Sequence, residues 1–123
     1  MKHRRKRSIT ALYAVVIAGL IIVSCEKYGY VIVEVDPEIP VLFQTEIQPI
    51  FTSACVMCHK GARDPDLRDG NSFVSLTEGG YVTLPAETSR LYKTLESTSH
   101  KSFTLPEQRQ KILYWIEQGA KNN

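Results

Sequence analysis

Within five consecutive residues, Cys55-Val56-Met57-Cys58-His59, the chain carries two thiols and an imidazole. Two reduced thiols can add across the two vinyl groups of a porphyrin, and the iron of that ring also needs an axial nitrogen from the protein. Cys-x-x-Cys-His supplies all three. Two intervening residues let a single turn present both sulfurs to one porphyrin edge, and the histidine that follows brings its imidazole beneath the iron. Other chemistries also use paired cysteines. A thioredoxin-like redox pair would follow a strand in a βαβ unit, and no such pattern surrounds the motif. A zinc site would have to draw on His100 or Cys25 to complete its ligands. A plain disulfide would close a very short loop and leave His59 without a task. The expected cofactor is therefore one covalent haem c, with Cys55 and Cys58 as thioether positions and His59 as proximal axial ligand.

The elements that must position this motif read as helices. A chain of 123 residues offers one domain's worth of sequence, part of it spent on targeting. From Phe43 the apolar residues Phe43, Ile47, Ile50 and Phe51 recur at helical steps, with Pro49 predicting a kink or a two-part helix. Gly61 to Asn71 reads as a loop rich in charge, Gly, Pro and Asp, and Gly79-Gly80 marks a turn. Ser89 to Thr98, with Leu91, Tyr92 and Leu95 on one side, predicts a short helix. The last helix is expected over 105–119. Thr104 and Glu107 suit a capping box, Pro106 an early helical position, and Ile112, Trp115, Ile116 and Gly119 a shared face. The expected fold is a small all-α domain over 43–123. An amino-terminal and a carboxy-terminal helix would pack together beside the porphyrin, which supplies the rest of the core.

Upstream, Lys2, Arg4, Arg5, Lys6 and Arg7 precede an apolar run from Ile9 to Val23, the pattern of a secretory signal. The run is about 15 residues, short of the roughly 20 a transmembrane helix needs. Ile22-Val23-Ser24-Cys25 resembles the lipobox of bacterial lipoproteins. That resemblance implies cleavage before Cys25 and its lipidation, hence tethering to a membrane from outside the cytoplasm, in the periplasm or on the outer surface. Residues 25–42, with β-branched residues followed by Pro37 and Pro40, read as an extended linker with a short strand near 31–35. Removing residues 1–24 takes five of the fifteen basic residues and none of the thirteen acidic ones, leaving a net charge of −3. No basic stripe remains to suggest nucleic acid as a partner.

Residues 43–123 resemble the single-haem c-type cytochrome domain of bacterial exported and lipid-anchored proteins. The carrying segments are Ile47-Gln48-Pro49-Ile50-Phe51, the Cys55-to-His59 motif, Ser89-Arg90-Leu91-Tyr92 and Trp115-Ile116-Glu117-Gln118-Gly119-Ala120. The resemblance implies a cytochrome c-like helical fold around one haem and single-electron exchange with redox partner proteins rather than enzymatic turnover. The chain departs from the family at the sixth iron ligand, usually a methionine before the last helix. The only methionine after the signal is Met57, inside the attachment motif, whereas the expected stretch reads Ser97-Thr98-Ser99-His100-Lys101-Ser102-Phe103. His100 is thus the candidate distal ligand, and an exposed imidazole in a polar loop is the plain alternative. Without it the iron would be open, or would take Lys101 or water, and the function would shift to a haem-based sensor or minor peroxidase. An accessory subunit of a larger complex is a third possibility.

Overall fold

The structure is a computed structural model that describes residues 34–123. The signal, Cys25 and residues 31–33 of the strand expected over 31–35 lie outside the described residues, and 34–35 form no strand. Within the described residues no helix is long and apolar enough to cross a membrane, and there is no strand. The domain is all-α, with four α-helices joined by loops and short 3-10 turns.

A π-helical turn over Phe43–Ile47 runs directly into α1, Gln48–Ala54. Pro49 sits in the first turn of α1, directly after the π-helical turn. The two-part character expected of this helix takes the form of the wide turn before it. Helix α2, Ser72–Glu78, falls between the predicted loop and the Gly79-Gly80 turn, in a stretch without a clear helical stripe. Helix α3, Arg90–Glu96, starts at Ser89, whose hydroxyl accepts from the Tyr92 N–H at 3.3 Å.

Helix α4, Pro106–Glu117, begins one residue later than a Thr104 cap would set it. Gln108 Oε1 reaches back to the Leu105 N–H at 2.9 Å, so the backward half of a capping box forms from Leu105 and Gln108. Thr104 cannot serve there, since it is buried and its carbonyl and hydroxyl both accept from Arg109. Gly119 is likewise not on the buried face. It follows the helix end with φ +93°, while Ala120 N–H donates to Trp115 O at 2.9 Å and Gly119 N–H to Ile116 O at 3.0 Å. This is a Schellman stop, which an L side chain would strain. The closing Trp-Ile-x-x-Gly-Ala is thus a core residue pair plus the backbone signal that ends the helix.

Phe43, Ile47, Phe51, Leu76, Ile112, Trp115 and Ile116 are fully buried and join all but α3 to one core. Leu91 and Leu95 add α3 to it. Phe43 is central, with ring centroids 5.1 Å from Trp115 and 5.4 Å, edge-on, from Phe73. Such pairs contribute about 0.5–1.5 kcal/mol each beyond the area they bury. The end of the expected linker lies against the domain. Val41 is 5% exposed, and the Gln118 side chain accepts from Val41 N–H at 2.8 Å while donating to the carbonyls of Pro37 and Ile39 at 3.0 Å.

Candidate haem site

Helix α1 delivers the motif. Cys55 is its C-cap, and the next turn folds tightly: Cys58 N–H and His59 N–H both donate to Cys55 O, at 3.1 and 3.0 Å. One turn therefore carries both thiols and the imidazole. Met57, at its tip, is 85% exposed and does not line the adjoining cavity.

That cavity measures about 540 Å³, within the range of roughly 300–1,000 Å³ typical of organic ligand sites. Cys55, Cys58, His59 and His100 all line it. Phe51, Leu67, Tyr81, Leu91, Leu95 and Phe103 supply most of its apolar wall. Arg63, Asp64 and Arg90 add polar groups, Arg90 with its guanidinium 4.4 Å above the Tyr81 ring.

On the His59 side the loop is tightly held. Nδ1 of His59 lies 3.0 Å from the Pro65 carbonyl oxygen. A carbonyl can only accept, so Nδ1 carries a hydrogen, and in the neutral ring Nε2 is the bare nitrogen, the arrangement that second-shell partners impose on metal-binding histidines. Leu67 N–H closes the same loop onto His59 O at 2.9 Å, and Gln48 of α1 donates to Leu67 O at 3.2 Å. The amide of Gln48 also accepts from Ser72 Oγ, tying α1 to α2. Asp66 accepts from Arg68 through Nε and Nη2, at 3.0 and 2.6 Å, and from Asn71 at 3.0 Å. The Arg68 guanidinium holds the Asp66 carboxyl well below the usual carboxylate range. Gly61, at φ +96°, lets the chain turn back beneath the Arg68 side chain, which a Cβ there would meet at 2.8 Å.

The His100 side hangs on one buried cation. Arg109 of α4, 6% exposed, donates from Nε to Glu96 at 2.7 Å and from Nη1 to the Lys101 carbonyl at 3.1 Å and to the Thr104 carbonyl. These bonds span the loop between α3 and α4 at both ends of its 3-10 turn. The loop brings His100 near His59, with ring centroids 6.4 Å apart and planes at 49°. With metal–nitrogen bonds of about 2 Å, and each nitrogen about 1.1 Å from its ring centre, two imidazoles sharing one metal stand about 6 Å apart. The residues present therefore fit a flat metal macrocycle held covalently from the Cys55/Cys58 side.

The thiols do not suit redox catalysis. Cys55 stands at the C-terminal end of a helix, where the dipole opposes a thiolate, and reactive thiols favour helix N-termini. Burial, followed by the nearby Cys58, pushes the Cys55 thiol up to about 11. Both cysteines are free thiols. Among the described residues no three His, Cys, Asp or Glu side chains gather about one point as a chelating set.

Sequence reasoning missed Pro65, Gln48 and Arg109, which orient rather than bind. Pro65 acts through its carbonyl, which no residue type advertises. Arg109 had a signal, a charge on a helix turn otherwise facing the core, but its partners lie in another loop. Comparison of the chain with family models, with curated proteins and with solved structures finds no match.

Proposed function

We propose that this chain is an exported, lipid-anchored c-type cytochrome that carries single electrons through one haem c, with Cys25 as the anchor. The carrying observation is that Cys55, Cys58, His59 and His100 line one largely apolar cavity, with the two imidazoles 6.4 Å apart. When bound, the haem supplies a one-electron iron couple. The chain's own residues do the rest. Cys55 and Cys58 would hold the group by thioethers, and His59, oriented by the Pro65 carbonyl, and His100 would each offer an imidazole nitrogen to its iron. The apolar part of the wall would lower the local dielectric around a bound group. Cys58 is exposed, so the attachment edge lies at the surface, where a donor or acceptor protein can approach. With His100 as a ligand the iron would have no open position for peroxide or a gas, which favours a carrier over a peroxidase or sensor. Redox proteins, and no nucleic acid, are the partners this reading assigns.

The test is mass spectrometry and absorption of the exported protein after haem maturation. One covalent haem per chain is expected, with attachment reduced in Cys55→Ser and Cys58→Ser and abolished in the double variant. Haem retained without any thioether would sink the reading. For the anchor, Cys25→Ser should release the protein into the soluble fraction, and retention would argue for an uncleaved helix.

A further inference from the structure

We infer that Ser97 and Ser99 are positioning residues for His100, their hydroxyls forming a one-way hydrogen-bond chain that keeps the imidazole hydrogen on Nδ1 and leaves Nε2 free to bind. This rests on the reading of His100 as an axial ligand. The chain runs from His100 Nδ1 to Ser99 Oγ at 2.9 Å, from there to Ser97 Oγ at 3.0 Å, and ends at the Thr94 carbonyl at 2.6 Å.

Its direction follows from its last member. A carbonyl oxygen has no hydrogen, so Ser97 must donate to Thr94. A hydroxyl has one hydrogen, so Ser97 can then only accept from Ser99. Ser99, its own hydrogen spent, can only accept from His100. Nδ1 must therefore carry a hydrogen in every charge state of the ring, and in the neutral ring Nε2 is the bare nitrogen. A lone hydroxyl at Ser99 would not achieve this, because it could rotate and donate to Nδ1, stabilising the tautomer whose Nε2 bears the hydrogen and cannot bind a metal. Ser97 thus acts on a ring it does not touch. The nearby ammonium of Lys101 is engaged by Glu96 at 2.8 Å and does not compete for the imidazole. The same tautomer is enforced on His59 by the Pro65 carbonyl. Both rings facing the cavity are therefore set to offer Nε2.

Breaking such an outer-shell contact weakens a ligand by about 10- to 100-fold. Ser99 is exposed and water can partly replace it, so about tenfold is expected. The test is carbon monoxide titration of the ferrous holoprotein, with the reduction potential as a second readout. Ser97→Ala and Ser99→Ala should each raise the apparent carbon monoxide affinity about tenfold and raise the potential, as the distal imidazole loses donor strength. Ser99→Thr, which restores the hydroxyl, and Thr98→Ala, next to the chain but outside it, should match the unmodified protein within about twofold. If His100→Ala changes the spectrum while both serine variants behave like the parent, the hydroxyl chain has no such role. If His100→Ala itself leaves spectrum and carbon monoxide binding unchanged, the axial assignment fails first and the inference with it.

Discussion

The rings of His59 and His100 line the same cavity at a centroid separation of 6.4 Å, tilted by 49°, although 41 positions separate them in the chain. The spacing is close to that of two imidazoles sharing one metal. If the proposed haem is bound, replacing His100 by methionine should raise the reduction potential, since thioether sulfur stabilises the reduced iron. A rise on the order of 100 mV is a modest part of the about 0.8 V that axial ligands command. Spectroelectrochemical titration measures it, and an unchanged potential would remove His100 from the iron.

Arg109 is a buried charge whose partners all belong to α3 and the loop after it. Arg109→Met would leave the Thr104 and Lys101 carbonyls without their donor and Glu96 with one cation fewer. It should cost about 2–4 kcal/mol in urea unfolding. Arg109→Lys, which keeps the charge without the fork, should recover part of the loss.

Acid should loosen the same loop. The bonds from Lys101 and then Arg109 hold the Glu96 carboxyl below its ordinary value. A lowered carboxylate stabilises the fold above the ordinary carboxylate range and loses that contribution as pH falls through the folded value. Glu96→Gln should therefore be less stable than the parent at pH 7, with the difference shrinking toward pH 3 in pH-dependent melting.

For Cys55 the sign is reversed. With its thiol pushed up to about 11 by burial and then by Cys58, the folded chain holds the neutral form. The stability it contributes is complete below the ordinary thiol range and is lost as pH rises toward 11. In haem-free protein, alkylation of Cys55 should climb about tenfold per pH unit well past pH 9, whereas an ordinary thiol levels off near 8.5. A plateau near pH 8.5 would show an exposed, unperturbed thiol.

Gly119 ends α4 in a left-handed conformation that a side chain disfavours by about 1 kcal/mol. Gly119→Ala should lower the melting temperature by about 4–8 °C, as expected for a domain of this size. Gly70, also at positive φ but outside any helix stop, offers a comparison.

The sequence by itself determined what is local. A single turn carries Cys55, Cys58 and His59 because adjacency leaves it little choice, and that motif with its helix was legible in five residues. The stripes of Phe43, Ile47 and Phe51 and of Ile112, Trp115 and Ile116 marked two core helices, since burial imposes a period close to four. The cap of α4 shifted by one residue because Thr104 was claimed by a buried arginine, a competition that capping preferences do not contain. Only the tertiary structure decided which groups meet. Pro65 reaches His59 through a carbonyl that every residue possesses, and Val41 enters the core through a glutamine 77 positions away. The placement of His100 near His59 depends on how α3 and α4 pack and on Arg109 beneath their loop. Contacts between distant segments are selected by the shape of the whole core, and no short stretch of the chain encodes that shape.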